Sequence, residues 1–309
     1  MLAYPNTTYM TTLAQTNAMN TDAAIHETLE TRVSRLVGDR VVRSRTLSGG
    51  MIGDVVRMRL ERLPDIVVKT GQHDAHMTIE AEMLNRLREN GQVPVPEVLH
   101  AEDDLLILEW IDGEHLRPQA EADCGRLLAN LHDVTHPHHG FGGVTLNGRV
   151  LLKSPWSDSW IDFFAEHRLR FSLELADTTR PLPPELAYDV AAVLDRVGDL
   201  LREPAQPSLL HGDLWAANVL SVDDRVTAFI DPSTCFGDPE FELAYVDAWR
   251  SFGPDFWDAY SAHRPLDDGY RDIRRHIYAL YPLLMHVYYF GDRFLPRLAE
   301  TLATIRERM

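Results

Sequence analysis

The chain has 309 residues, 45% of them hydrophobic and 25% charged, with 30 Lys and Arg against 47 Asp and Glu and a formal charge of −17. That length suits one large or two medium domains, and the acidic balance disfavours nucleic acid and anionic lipid as partners. Two distant cysteines exclude a disulfide scaffold, and no uncharged apolar run reaches the roughly 18 residues of a membrane span, so a cytoplasmic, monomeric protein without membrane contact is expected.

Residues 1–20, rich in Thr, Asn and Met, read as a flexible leader without the basic-then-apolar order of a secretory signal. Thr21 or Asp22 is the expected cap of a helix whose Ile25, Leu29, Val33 and Leu36 share one face. Strand patterns follow at 40–47 and 54–60, joined by Ser48-Gly49-Gly50. The apolar run Ile66-Val67-Val68 then ends on Lys69. Helical spacing occupies 76–90 until Pro94 and Pro96 break it, and strands are predicted at 98–101 and 105–110. The composition shifts at Asp112-Gly113-Glu114. Beyond that point helices are predicted at 119–133, 156–176, 184–202, 239–250, 255–263, 268–290 and 293–308, interrupted by strands at 208–210 and 226–230. The stretch His136-Pro137-His138-His139 fits no closed zinc spacing and reads as a solvated loop.

The chemistry concentrates in His211-Gly212-Asp213-Leu214-Trp215-Ala216-Ala217-Asn218 and in Ile230-Asp231-Pro232. The spacing H-x-D-x-x-x-x-N is that of a protein-kinase catalytic loop. Asp213 follows a short apolar strand and can accept a proton from a substrate hydroxyl. Asn218 offers a neutral oxygen, and Asp231 a carboxylate at a strand end, to Mg²⁺ on ATP phosphates. His211 is better suited to bracing this loop than to proton transfer. Lys69, at the end of a β-branched strand, can reach ATP phosphates if a carboxylate holds it; Glu80 on the next helix is the first choice and Glu82 the second. Gly49 and Gly50 permit close approach to phosphate, although no Gly-Lys-Ser/Thr follows as in a Walker A loop. The backbone around Glu109 and Ile111 lies where an adenine edge would be read. The set predicts a kinase rather than an inactive binding module, because none of Lys69, Asp213, Asn218 or Asp231 is lost.

The same residues resemble the H-G-D-L-W-x-x-N signature of the fructosamine (ketosamine) kinases, within the aminoglycoside-phosphotransferase-like superfamily. Asp231-Pro232 through Gly237-Asp238-Pro239-Glu240-Phe241-Glu242-Leu243-Ala244 is similar to a second family motif, with Glu242 where the family usually has Asp. Trp160-Ile161-Asp162-Phe163-Phe164 with Arg168-Leu169, and Tyr278 to His286 with Phe290-Gly291, resemble two helices of the family outside the ATP chemistry. The resemblance implies an α+β, bilobal protein-kinase-like fold, with an antiparallel sheet plus helix before a mostly helical lobe. With the composition shift at Asp112-Gly113-Glu114 as the hinge, a nucleotide-binding lobe is expected over 21–111 and a catalytic and substrate lobe over 112–309. The resemblance also implies ATP-dependent phosphorylation of a sugar hydroxyl on a ketosamine, with Asp213 as base, Lys69 and Glu80 at ATP, Asn218 and Asp231 at Mg²⁺, and Trp215, Asp238 and His211 near the substrate. An aminoglycoside or amino-sugar kinase is the alternative. Both readings predict a small cationic or sugar-amine substrate and an acidic pocket, which Glu166, Asp238, Glu240 and Glu242 are the candidates to supply.

Overall fold

The computed structural model describes residues 27–47, 54–72, 75–179 and 181–309. The expected leader and the glycine loop with Gly49 and Gly50 lie outside them. The expected caps Thr21 and Asp22 lie outside them too; helix α1 (Leu29–Val37) begins after Thr28, which is extended and whose hydroxyl accepts from Thr31 N at 3.3 Å. Gly38, at φ 71°, closes it in the left-handed conformation. Strands β1 (Val41–Leu47), β2 (Asp54–Leu60), β3 (Ile66–Thr70), β4 (Val98–Glu102) and β5 (Leu105–Glu109) form one antiparallel sheet in the order β1-β2-β3-β5-β4. Helix α2 (Met77–Asn90) is inserted between β3 and β4.

The two-residue period of a strand decides what each face of this sheet carries. Val56, Met58, Ile66, Val68, Leu105 and Ile107 pack with Val33 of α1. Leu106 and Leu108 point the other way, into the large core that also holds Ala81, Leu84 and Leu87 of α2. Lys69 therefore projects on the α2 side, with Val67.

The remainder is mainly helical. Strand β6 (Glu114–His115) precedes α3 (Glu121–His132), and a hairpin of β7 (Gly143–Asn147) and β8 (Val150–Ser154) follows. Next come α4 (Trp160–Phe164), a π-helical turn (Ala165–Arg170), α5 (Phe171–Thr179), α6 (Pro184–Asp195) and α7 (Val197–Leu200). Strands β9 (Ser208–Leu210), β10 (Val219–Val222), β11 (Arg225–Phe229) and β12 (Cys235–Gly237) build small sheets, β12 with β9 and β11-β10-β6. Helices α8 (Pro239–Trp249), α9 (Pro254–His263), α10 (Arg275–Phe290) and α11 (Leu295–Arg306) complete the chain.

Several expectations are corrected here. The single helix expected at 156–176 starts only at Trp160, where Ser159 accepts from Asp162 N at 3.1 Å, and it swells into the π turn. The helix expected at 184–202 breaks at Arg196 and ends at Leu200. The β7–β8 hairpin and strands β6, β10 and β12 were not foreseen. The hairpin had a legible signal, Asn147-Gly148, with Gly148 at φ 56° in its turn. Strand β6 pairs with β10, so the chain joins the helical part directly after Gly113. Close packing of α3 on α9 requires Gly125, since a Cβ there would lie 2.3 Å from the Phe256 carbonyl oxygen.

Candidate active site

A cavity of about 730 Å³ lies between the sheet and the helices. At one end Lys69 Nζ meets Glu80 Oε1 at 2.5 Å and also bonds Asp231 Oδ1. Burial pulls the Lys69 pKa down, but the Asp231 and Glu80 carboxylates outweigh it and leave it above its ordinary value. Strand β3 and helix α2 fix this pair, because both residues occupy the same face of the sheet.

Asp213 stands beside Lys69's partners on the loop after β9. Asn218 Nδ2 donates to the Asp213 carbonyl oxygen at 2.8 Å and to its Oδ2 at 3.2 Å. Asn218 Oδ1 is thereby left available to a hard cation. Ile230 N donates to Asn218 O at 2.9 Å, which sets Asp231 opposite Asn218. Asp231 holds φ 54°, an uncommon backbone for a residue with a Cβ, as at many functional turns. Among the described residues no cluster of three or more His, Cys, Asp or Glu forms a metal cage. Two oxygen donors facing an open cavity fit Mg²⁺, which keeps much of its shell for phosphate and water. Burial lifts the Asp213 carboxyl to about 7, with Asp231 adding to the rise while hydrogen bonds from Tyr245 and Asn218 oppose it.

The loop is braced from behind. His211 Nε2 donates to the Ile230 carbonyl at 3.0 Å, and its Nδ1 accepts from Asp213 N at 3.4 Å. Ser233 N donates to His211 O at 2.8 Å. Glu242 of α8 accepts from His211 N at 3.1 Å, from Gly212 N at 2.6 Å and from His132 Nε2 at 2.9 Å. Its own burial raises the Glu242 pKa, but these partners overcome that and hold it below the usual range. Gly212, at φ 86°, is irreplaceable here, since a Cβ would lie 1.9 Å from the Ser233 carbonyl oxygen.

Two expected substrate contacts are placed elsewhere. His211 is fully enclosed in the brace. Asp238 is 4% exposed; Tyr278 Oη donates to its Oδ2 at 2.7 Å, and its Oδ1 accepts Glu240 N at 2.9 Å. Trp160 Nε1 donates to the same Tyr278 hydroxyl at 2.9 Å, so Asp238 belongs to a buried structural chain. The acidic pocket is also corrected. Glu240 is tied to Arg274 at 2.5 and 2.8 Å, Glu242 is the brace, and Glu166 pairs with Arg170 at 3.0 Å on the surface. None of them lines the cavity.

What lines the acceptor end instead is aromatic and basic. Trp215, 43% exposed, stands beside Asp213 on the cavity wall. Tyr245 and Trp249 follow along α8, with ring centroids 6.2 Å apart, and His286 of α10 lies 4.0 Å from the Trp249 ring. Arg293 and Arg297 close this end, over the Phe290 and Phe294 rings and the Trp249 ring respectively. The motif at 278–291 pointed toward this wall, but nothing local marked Tyr245, Trp249 or the arginines. Glu109 and Ile111 lie outside this cavity. The Glu109 N–H is already given to Glu97 O at 2.9 Å, whereas that of Ile111 has no partner among the described residues.

A profile of the fructosamine kinase family matches residues 24–308. A probable ketoamine kinase of Synechocystis is 31% identical over 287 residues, spanning 89% of this chain and 95% of that protein. The crystal structure of a provisionally named fructosamine-3-kinase from Thermobifida fusca is 29% identical and superposes with TM-score 0.82 over 91% of this chain and 99% of that one. An aminoglycoside phosphotransferase, APH(4)-Ia, solved with ADP and hygromycin B, shares the fold at 19% identity and TM-score 0.61, over 90% of this chain and 97% of that one.

Proposed function

Since this chain belongs to the fructosamine kinase family, we propose that it transfers the terminal phosphoryl group of ATP to a sugar hydroxyl of a ketosamine by way of Asp213. The observation that carries this reading is the meeting of Lys69, Asp213, Asn218 and Asp231 at one end of a cavity whose other end is aromatic. Phosphoryl transfer asks a protein chiefly for positioning and charge neutralisation. Asp213 orients the acceptor hydroxyl and takes its proton. Lys69, its angle set by Glu80, bonds the nucleotide phosphates in place of Asp231. Mg²⁺, arriving with the nucleotide, would be held by Asn218 and Asp231 and neutralise charge on the phosphate oxygens. The Ile111 N–H reads the adenine edge. Trp215 packs on the sugar, and His211 acts only by holding the loop.

Residues 21–111 serve as the nucleotide lobe and 112–309 as the catalytic and substrate lobe of a cytoplasmic monomer. Among the described residues no helix is long and apolar enough to cross a membrane. A polycationic aminoglycoside suits this cavity less well, because Arg293 and Arg297 stand where its amines would lie. ATP consumption should be measured with fructosyl-amines, amino sugars and aminoglycosides, and the phosphorylated position read by NMR. Turnover confined to aminoglycosides would refute the ketosamine assignment.

A further inference from the structure

We propose that Arg293 and Arg297 form a carboxylate clamp, so that the preferred acceptor is a ketosamine made from an amino acid whose carboxylate is free, not one carried on a simple amine. The inference rests on the ketosamine reading above and specifies its substrate.

Charge along the cavity is segregated. Its carboxylates are Asp54, Glu80, Asp213 and Asp231, at the nucleotide end, and Lys69 already binds two of them. At the far end Arg293 and Arg297 make no salt bridge among the described residues, although Glu300 and Asp247 act on Arg297 from farther off. The two guanidinium groups rest over the rings of Phe290, Phe294 and Trp249 at 4.8, 4.9 and 5.1 Å. Arg275 of α10, by contrast, meets Asp247 at 3.2 Å. Burial, and secondly Arg250, press the Arg297 guanidinium below its ordinary pKa, and the opposing pull of Glu300 and Asp247 does not make up the difference. His286 adds no charge, because burial together with Arg293 and Arg297 pushes it down to about 4 and keeps it neutral. Its Nδ1–H is spent on the Pro282 carbonyl at 2.8 Å.

The reach is appropriate. Asp213 is hydrogen-bonded to Tyr245, Tyr245 and Trp249 are one turn apart on α8, or about 6 Å along the axis, and Arg297 stacks on Trp249. A sugar hydroxyl at Asp213 thus leaves the amine beside aromatic faces that favour a cation, and a carboxylate beyond it at the arginines. Guanidinium groups bind carboxylates in paired, charge-assisted bonds that a neutral amide cannot match.

The test uses the full chain with N-(1-deoxyfructosyl)valine and its carboxamide, which differ by one negative charge. The wild type should show kcat/KM about tenfold or more higher for the acid, expressed in KM. Arg293→Gln with Arg297→Gln should bring that ratio near one, and Arg297→Lys should keep part of it. The KM for ATP, measured alongside, reports whether the fold and nucleotide end survive. Equal use of acid and amide by the wild type would overturn the clamp and leave the ketosamine reading standing. A ratio unchanged in the double variant would do the same. Turnover of neither compound would overturn the clamp alone if another ketosamine is phosphorylated, and both readings if the acceptor is not a ketosamine.

Discussion

The two ends of the cavity are built on opposite plans. At the nucleotide end, side chains from β3, α2 and the two catalytic loops bond one another, and Lys69 alone holds two carboxylates. At the acceptor end, α8, α10, α11 and the turn before α11 supply rings and cations that lie against one another but exchange no charge-paired bonds among the described residues. The first arrangement fixes positions before any ligand arrives, as charge stabilisation of a transferring phosphoryl group requires. The second leaves polar capacity unspent, and a ligand must satisfy it. Chemistry is therefore set by the protein's own bonds, and selectivity by what those bonds omit.

The sharpest way to break this contrast is to remove Asp213. Asp213→Ala should lower kcat by about 10³-fold or more while nucleotide affinity, followed by fluorescence titration, changes little. Near-normal turnover would show that the two ends are not divided as described. Lys69→Met should reduce kcat/KM by about 10²-fold and weaken ATP binding, since it strips the phosphates of their protein cation. With burial holding the Asp213 carboxyl at about 7, it is protonated and idle below that pH. In the protein free of nucleotide and Mg²⁺, an NMR titration should show the Asp213 carboxyl changing charge near pH 7, and Asp213→Asn should abolish that transition.

Glu242→Gln tests whether the nucleotide end depends on its brace. One carboxylate oxygen that accepts a backbone N–H becomes an NH₂ group, at a cost of about 3 kcal/mol in denaturant unfolding. Folded-state pKa values are lowered for His132 and His211, first by burial, and for Glu242, where its partners overcome burial. In each case the unfolded chain binds protons more readily. Stability should accordingly be full above the unfolded histidine value near 6.5 and fall as pH drops below it, with a further loss as Glu242 titrates. The mildest effect is expected from Trp249→Ala, which should raise the acceptor KM several-fold and leave the ATP KM unchanged; equal changes in both would merge the two ends.

The nucleotide end was the legible one. Asp213, Asn218 and Asp231 are close in sequence because two adjacent loops present them, so spacing alone was enough to expect them at one place, where the structure brings them. Lys69 was legible because a short β-branched run fixes which way its last residue points. The acceptor end was misread. Asp238, Glu240 and Glu242 looked like pocket acids by proximity to the catalytic loop, yet α8 buries their carboxylates against Tyr278, Arg274 and His132. Net charge describes a whole surface and says nothing about one concave patch.

The chain's own order of residues thus determined which residues are proposed for phosphoryl transfer, the sheet that carries Lys69 and the family to which the protein belongs. Each follows from local rules: strand alternation, loop length and the oxygen donors a hard cation accepts. Only the tertiary structure decided which acids face the ligand and which brace the loop. It alone brought Trp249, His286 and Arg297 to one wall from separate helices, because side chains distant in sequence become neighbours only when the core packs.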